Sequence, residues 1–215
     1  MFSPDDLRAL GEGATPTPPG GTVSLGARRA ALRTGDHAAL LYWDHAELLE
    51  HIVPYLAAGI AAGDKVVYVA DDTSVERITD ALCDAGIAVP AEIARGHLVI
   101  TTAHDAFFGG GRFDVERSLA AVRGLADEAR AQGFARVRFS VEMTYLLADV
   151  PGIEAGREFE ARANSEIFAC YPFTCICSFN ADRAITGDII ADVLATHPIL
   201  ISSGVPLVNP RYHAK

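Results

Sequence analysis

From about residue 34 onward, the sequence alternates short apolar runs with longer amphipathic segments. Runs such as KVVYVA at 65–70 have the length of buried strands, and the longer segments carry apolar residues at helical spacing. This alternation is typical of repeated βα units around a mainly parallel sheet. We therefore predict a single three-layer α/β domain.

Local signals give the predicted elements their bounds. Asp44, followed three residues later by Glu47, is a capping pattern for a helix that Gly63 ends. The predicted strands cover residues 38–43, 65–70, 98–101, 135–141 and 173–179, with a final strand or hairpin in ILISSGVPLVN around Gly204. The predicted helices cover 44–62, the stretch from DDTS to Gly86, 114–132, EAGREFEARANSEIFAC and GDIIADVLAT.

The first 33 residues differ in composition from the rest. Residues 11–26, GEGATPTPPGGTVSLG, are rich in Gly, Pro, Thr and Ser and have no apolar period, so they can contribute little to a core. We expect a flexible arm over 1–33 and one domain over 34–215, a length that a single core can support.

Charge and composition exclude several classes of function. A net charge of −10 argues against a surface built to neutralise phosphates, so direct binding to nucleic acid is not expected. No apolar run reaches the roughly 18–20 residues of a membrane span, and the N-terminus does not read as a signal peptide, so we expect a cytoplasmic protein without membrane contact. The four cysteines are too unevenly placed for a disulfide framework and give no zinc-ribbon spacing, so neither a structural metal nor a cofactor is predicted.

Polar and aromatic side chains follow the predicted strands at the edge where parallel sheets bind their ligands. Aromatic rings there would supply apolar surface, and histidine and carboxylate groups would orient polar atoms of a ligand. The candidate ligand-binding residues are Tyr42, Trp43, His45, Asp71, His104, Glu142 and Tyr145. His45 and His104, together with Asp71 or Glu142, are also a metal-binding arrangement that the sequence leaves open.

Two common catalytic signatures are missing. No glycine-rich phosphate loop follows the first strand, where Tyr42, Trp43, Asp44 and His45 stand instead, and FFGGGRF at 107–113 has no strand directly before it. No G-x-S-x-G elbow supports ester hydrolysis either. We therefore expect no catalytic residues and no enzymatic activity.

Several stretches occur in an order that resembles a known family. They are GDHAALLYWDHAELLEHIVPYLAAGIAAGDKVVYVADDTSVERI, GGGRFD, VRFSVEMTY, CSFNADR and THPILISSGVPLVNPRY. Over about residues 34–213 the chain is similar to the MEDS domain, the methanogen/methylotroph dichloromethane-repressor-type sensory domain. The resemblance implies a RecA-like fold, like that of the circadian-clock ATPases but without the P-loop. It also implies a bacterial or archaeal sensory module, involved in signal transduction and transcription regulation, that binds a small organic, hydrocarbon-derived ligand.

The resemblance also singles out residues and partners. A chain without its own DNA-binding or kinase region would signal through a regulatory protein partner, such as a kinase, an anti-sigma-type protein or a transcription regulator; a homodimer also stays open. The family-like positions without an assigned role are His37, Glu47, Cys177, His197, Asn209 and Tyr212. We expect His37 and His197 at the amino-terminal edge of the sheet, supporting the fold through hydrogen bonds.

Three other functions remain open at this point. Cys175 and Cys177 share one face of a strand and are expected to be small buried residues, but Cys177 with a histidine would suit a metal or redox sensor. A vestigial nucleotide-binding protein and a pure interaction module are the other two.

Overall fold

Six parallel strands and one antiparallel strand form a single sheet in the described part of the chain. The computed structural model describes residues 32–186, 189–202 and 204–212, so the arm predicted at 1–33 lies almost wholly outside it. The strands are β1 (His37–Tyr42), β2 (Lys65–Ala70), β3 (Leu98–Thr102), β4 (Val137–Glu142), β5 (Phe173–Asn180), β6 (Ile199–Ser202) and β7 (Val205–Val208). Their order is β3-β2-β4-β5-β1-β6-β7, and β7 is antiparallel to β6.

Helices connect these strands and cover both faces of the sheet. They are α1 (His45–Ala62), α2 (Val75–Asp84), α3 (Val89–Ala94), α4 (Ala103–Phe107), α5 (Val115–Ala131), α6 (Gly156–Ala163), α7 (Ala181–Thr186) and α8 (Ile190–Thr196). The predicted helix at 154–170 is divided: α6 is followed by a π-helical turn, Asn164–Phe168. The predicted GDIIADVLAT helix begins at Ile190, and residues 187–188 lie outside the described residues.

The alternation of side chains along the strands creates two apolar cores. Tyr68 of β2 packs on the face covered by α1 and α2, whereas its neighbours Val67 and Val69 pack on the face covered by α5 and α6. Both faces of a parallel sheet are thereby buried. The predicted three-layer α/β architecture is confirmed.

The capping signal at the start of α1 acts as predicted. The Asp44 carboxylate accepts hydrogen bonds from the backbone N–H of Ala46 (2.8 Å) and Glu47 (2.9 Å), while Glu47 accepts one from the N–H of Trp43 (2.8 Å). Gly63 ends the helix at φ +72°, a left-handed conformation that favours glycine. Glu47 therefore anchors the turn between β1 and α1.

Asn209 ties the end of α8 to the hairpin formed by β6 and β7. The carbonyl of Leu194 would normally accept from the N–H four residues later, but that residue is Pro198, which has none. The buried side-chain amide of Asn209 donates instead to the carbonyls of Leu194 and His197, both at 2.7 Å. Asn209 thus supplies a donor that the proline removes.

No helix within the described ranges has both the length and the apolar character needed to cross a lipid bilayer.

Candidate functional site

The carboxyl edge of the sheet carries a buried carboxylate. Glu142, at the end of β4, is fully buried and accepts hydrogen bonds from the Tyr68 hydroxyl and from the backbone N–H of Thr73 (2.8 Å). Burial raises the pKa of Glu142, and these hydrogen bonds partly offset the rise. Burial and the neighbouring carboxylates Asp72 and Glu142 also raise the pKa of Asp71, to about 6.

The other predicted ligand-binding residues are spread along this edge. Tyr42 is buried near the carboxylates of Glu142, Asp72 and Asp71. Its burial has the largest effect on the pKa of its hydroxyl group, and these carboxylates raise that pKa further. Tyr145 is buried and stacks on Phe107, with ring centroids 5.0 Å apart. Trp43 and His45 are partly exposed, and the His104 side chain is 80% exposed beside Asp105. The structure therefore gathers Tyr42, Asp71 and Glu142 but leaves His104 in solvent.

A different set of residues meets inside the domain, on the face of the sheet covered by α6. His37 begins β1, Cys177 lies within β5, His197 follows α8, and Glu160 comes from α6; all four are buried. Their nitrogen, sulfur and oxygen atoms all lie within 4.8 Å of one another. Within the described residues they are the one group of this kind, so the predicted combination of His45 and His104 with a carboxylate is not assembled.

The carboxylate of Glu160 lies between the two imidazoles. Its Oε2 atom is 3.4 Å from His37 Nε2, 3.2 Å from His197 Nε2 and 3.8 Å from Cys177 Sγ. His37 Nε2 lies 3.2 Å from the same sulfur. The strand order explains the meeting, because β1 lies between β5 and β6 in the sheet. We refer to His37, Glu160, Cys177 and His197 as the buried cluster.

Neighbouring oxygens orient both histidines of the buried cluster. Asn164 donates its amide N–H groups to the carbonyls of Thr196 (2.7 Å) and Glu160 (3.2 Å), so its oxygen faces His37 Nδ1 at 3.1 Å and accepts from it. His197 Nδ1 lies 3.0 Å from the carbonyl of Val193 and donates to it. Both Nε2 atoms are thereby directed towards the centre of the cluster.

The charges in the buried cluster are strongly coupled. Burial alone would raise the pKa of Glu160, but contact with His197 and His37 lowers it well below its usual range. Burial alone would lower the pKa of His37, but Cys177 and Glu160 raise it above its usual value. Burial and the charge of His37 lower the pKa of His197, and burial raises that of Cys177. These directions favour a charged pair between His37 and Glu160, beside a neutral His197 and a Cys177 thiol.

Glu160 also borders two cavities. One, of about 160 Å³, opens to solvent beside α6 and α8, and its wall is mainly apolar. Its lining residues are Leu146, Ile153, Glu154, Gly156, Arg157, Glu160, Phe179, Ile189, Asp192, Val193 and Thr196. We call it the α6–α8 pocket. The other, of about 10 Å³, is enclosed by aromatic residues and by His37, Tyr145 and Cys177. Glu160 therefore places a carboxylate beside apolar surface in both cavities.

Comparison with known proteins identifies the family. The family model described as the methanogen/methylotroph, DcmR sensory domain (MEDS) matches residues 36–198, which is most of the chain. The chain belongs to the MEDS family. MEDS domains are sensory domains by this description, so the sensory character expected from the sequence is confirmed at that level. No curated protein matches the chain significantly.

Solved structures support the same fold. A KaiC-like protein, PH0186, from Pyrococcus horikoshii OT3 aligns with a TM-score of 0.55 and 9% identity over 87% of this chain and 79% of its own. The flagellar accessory protein FlaH from Methanocaldococcus jannaschii aligns with a TM-score of 0.50 and 12% identity over 80% of this chain and 72% of its own. At such identities the likeness concerns the fold alone, and the predicted RecA-like architecture of the MEDS domain is confirmed.

The structure shows which contacts the family-like positions of this MEDS domain make. His37, Cys177 and His197 belong to the buried cluster. The two histidines lie at or just before strand starts, where the sequence predicted them, but their meeting with Cys177 was not predicted. Glu47 anchors the start of α1, and Asn209 binds the end of α8. Tyr212 follows in a turn, with its N–H 3.3 Å from the Asn209 carbonyl.

Glu160 and Asn164 were not among the residues predicted from the sequence. A signal was present, because Glu160, Ala163 and Ile167 recur at helical spacing and share the buried side of α6 and the turn after it. A carboxylate within such an apolar stripe needs a polar partner. The π-helical turn that starts at Asn164 is also a feature often found at functional sites.

Proposed function

We propose that this MEDS domain binds a small organic molecule in the α6–α8 pocket and reports its presence to a partner protein, without converting the molecule. The observation that carries the proposal is the pocket itself: about 160 Å³, mainly apolar, with Glu160 in its wall. An engineered apolar cavity of about 150 Å³ binds benzene, so this volume suits a compact molecule of roughly six non-hydrogen atoms. Glu160 offers such a molecule a buried carboxylate, and Arg157, Asp192 and Thr196 add further polar groups to the wall.

The α6–α8 pocket is a different place from the predicted edge site. None of the seven predicted ligand-binding residues lines it, although Tyr145 lines the smaller cavity that also borders Glu160. The ligand-binding role of the edge residues stays a prediction. We favour the pocket because it combines an opening, an apolar wall and a buried carboxylate, which are the usual features of small-molecule sites.

A path for the signal starts at the pocket wall. Val193 and Thr196 of α8 line the pocket, and Asn209 joins the end of that helix to the β6–β7 hairpin. Strand β7 lies at the edge of the sheet and exposes Val205 and Val208, by 41% and 42%. If α8 can take two positions, a ligand that binds the domain more tightly with α8 in one of them would favour that position and shift the attached hairpin. The partner protein would bind the exposed edge formed by β7.

The test fills the pocket by substitution. Ile153→Trp places a large ring at the pocket wall, and Ile93→Trp, at a residue that is 47% exposed on α3, is the matched control. Saturation-transfer NMR with benzene and 1-butanol as probes should show binding to the unsubstituted protein and to Ile93→Trp, and a loss of the signal for Ile153→Trp. Absence of binding to the unsubstituted protein, or equal binding to both variants, would refute the proposal.

A further inference from the structure

The buried cluster has the composition of a metal site. We propose that His37, Glu160, Cys177 and His197 bind one divalent transition-metal ion, with Zn²⁺ as the best-matched ion. Imidazole nitrogen, thiolate sulfur and carboxylate oxygen are the three protein ligand types that zinc takes, and four of them complete a tetrahedral shell. This inference goes beyond the proposed organic ligand and does not depend on it.

The separations between the ligand atoms fit one central ion. With the usual bond lengths to zinc, a tetrahedron has edges of about 3.3 Å between nitrogen and oxygen ligands and about 3.5 Å where sulfur is one partner. Glu160 Oε2 lies 3.4 Å and 3.2 Å from the Nε2 atoms of His37 and His197. Cys177 Sγ lies 3.2 Å from His37 Nε2 and 3.8 Å from Glu160 Oε2. These four separations are within a few tenths of an ångström of the tetrahedral edges. The two others, from His197 Nε2 to His37 Nε2 and to Cys177 Sγ, are at most 4.8 Å and would shorten as the ion binds.

The histidine tautomers favour metal binding. Each Nδ1 donates its hydrogen to an oxygen, of Asn164 for His37 and of Val193 for His197, so each Nε2 faces the cluster centre. A metal ion would bind Nε2 of His197 directly and would displace the proton from Nε2 of His37. His197 Nε2 is fully buried, and although it lies 3.2 Å from Glu160 Oε2, it makes no hydrogen bond of good geometry among the described residues. A buried, unpartnered nitrogen that faces a carboxylate and a thiol is an open ligand position.

The charges also balance in a buried setting. The charges of a divalent cation, one thiolate, one carboxylate and two neutral imidazoles sum to zero. The occupied site would therefore place no net charge in the core. Glu160 borders the solvent-open α6–α8 pocket, which gives the ion an entry path. The ligands come from the central strands β1 and β5, from the helix α6 and from the residue that ends α8, so the scaffold holds them in place.

Cobalt substitution tests the site on the full chain after metal removal with a chelator. Co²⁺ bound to these residues should reach one ion per chain and give the intense visible absorption of tetrahedral coordination, with a thiolate-to-cobalt charge-transfer band in the near ultraviolet. Cys177→Ser should remove that band and weaken Co²⁺ binding on the order of 100-fold or more, because it deletes the sulfur ligand.

Cys175→Ser is the matched control. Cys175 is buried on the same face of β5, two residues from Cys177, with the two sulfurs 3.8 Å apart, and it is outside the group of four ligands. It should retain the band and the affinity. Glu160→Gln should weaken binding while the band persists, which supplies a second test if Cys177→Ser fails to fold by circular dichroism. Absence of stoichiometric Co²⁺ binding, a pale octahedral spectrum, or equal loss in both serine variants would overturn the proposal.

Discussion

Replacing Asn209 should destabilise the whole domain more than the loss of an ordinary asparagine. Its side-chain amide is 3% exposed and donates at 2.7 Å to the carbonyls of Leu194 and His197. Leu194 cannot recover the bond from the backbone, because Pro198 has no N–H. Asn209→Ala therefore leaves two buried carbonyls without the donor that they have now.

The magnitude follows from these two hydrogen bonds. Each contributes about 1 kcal/mol net to the free energy of unfolding, and leaving a buried acceptor unpaired adds a further desolvation penalty, so about 3 kcal/mol should be lost in total. For a chain of this size that corresponds to a fall in Tm of roughly 6–12 °C. Asn209→Asp keeps the size and the acceptor that binds the N–H of Arg211, but sets a carboxylate against two carbonyls. It should be at least as damaging.

Chemical denaturation followed by circular dichroism measures these losses. Asn180→Ala is the control, because the Asn180 side chain accepts one exposed hydrogen bond, from the N–H of Arg183, and its loss should cost about 1 kcal/mol or less. Should Asn209→Asp be as stable as the unsubstituted protein, or Asn209→Ala lose no more than the control, Asn209 would not be the donor that completes the end of α8.

Two further perturbations test other parts of the domain. Because the pKa of Asp71 is raised to about 6, the folded state holds a proton that the unfolded state releases, so the contribution of Asp71 to the free energy of unfolding should fall as pH rises from about 4 to 6 and then level off. Asp71→Asn should remove that contribution and stabilise the protein near pH 7. The gain should be less than about 1 kcal/mol, because Asp71 is only partly desolvated and solvent screens its exposed part; an unchanged pH dependence of unfolding would contradict this. Gly152→Ala should lower the free energy of unfolding by more than about 1 kcal/mol, because φ of Gly152 is +89° and an added Cβ would clash with the Phe113 carbonyl. An unchanged denaturation midpoint would show that the loop adapts without cost.

The elements of the fold were predictable because their signals are local. The run KVVYVA coincides with β2, and Asp44 and Gly63 bound α1 as the sequence indicates. The short helices α3, α4 and α7 were not predicted, because five or six residues give too few turns for a helical period to show. The π-helical turn after Ala163 was missed for a similar reason, since its sequence continues the amphipathic pattern of α6.

The buried cluster depends on information that no local signal carries. His37 and His197 both stand at strand entrances, so chain order alone predicts an amino-terminal edge for them and gives no reason for contact with Cys177, in the middle of β5. Contact follows only once β1 is known to lie between β5 and β6, with Ala39 paired to Cys177 and Ala38 to Ile199. Strand order in a parallel sheet is set by long crossovers and the packing of their helices, which are global properties. Three of the four residues of the buried cluster could therefore be singled out from the sequence, but their meeting with Glu160 required the three-dimensional order of the strands.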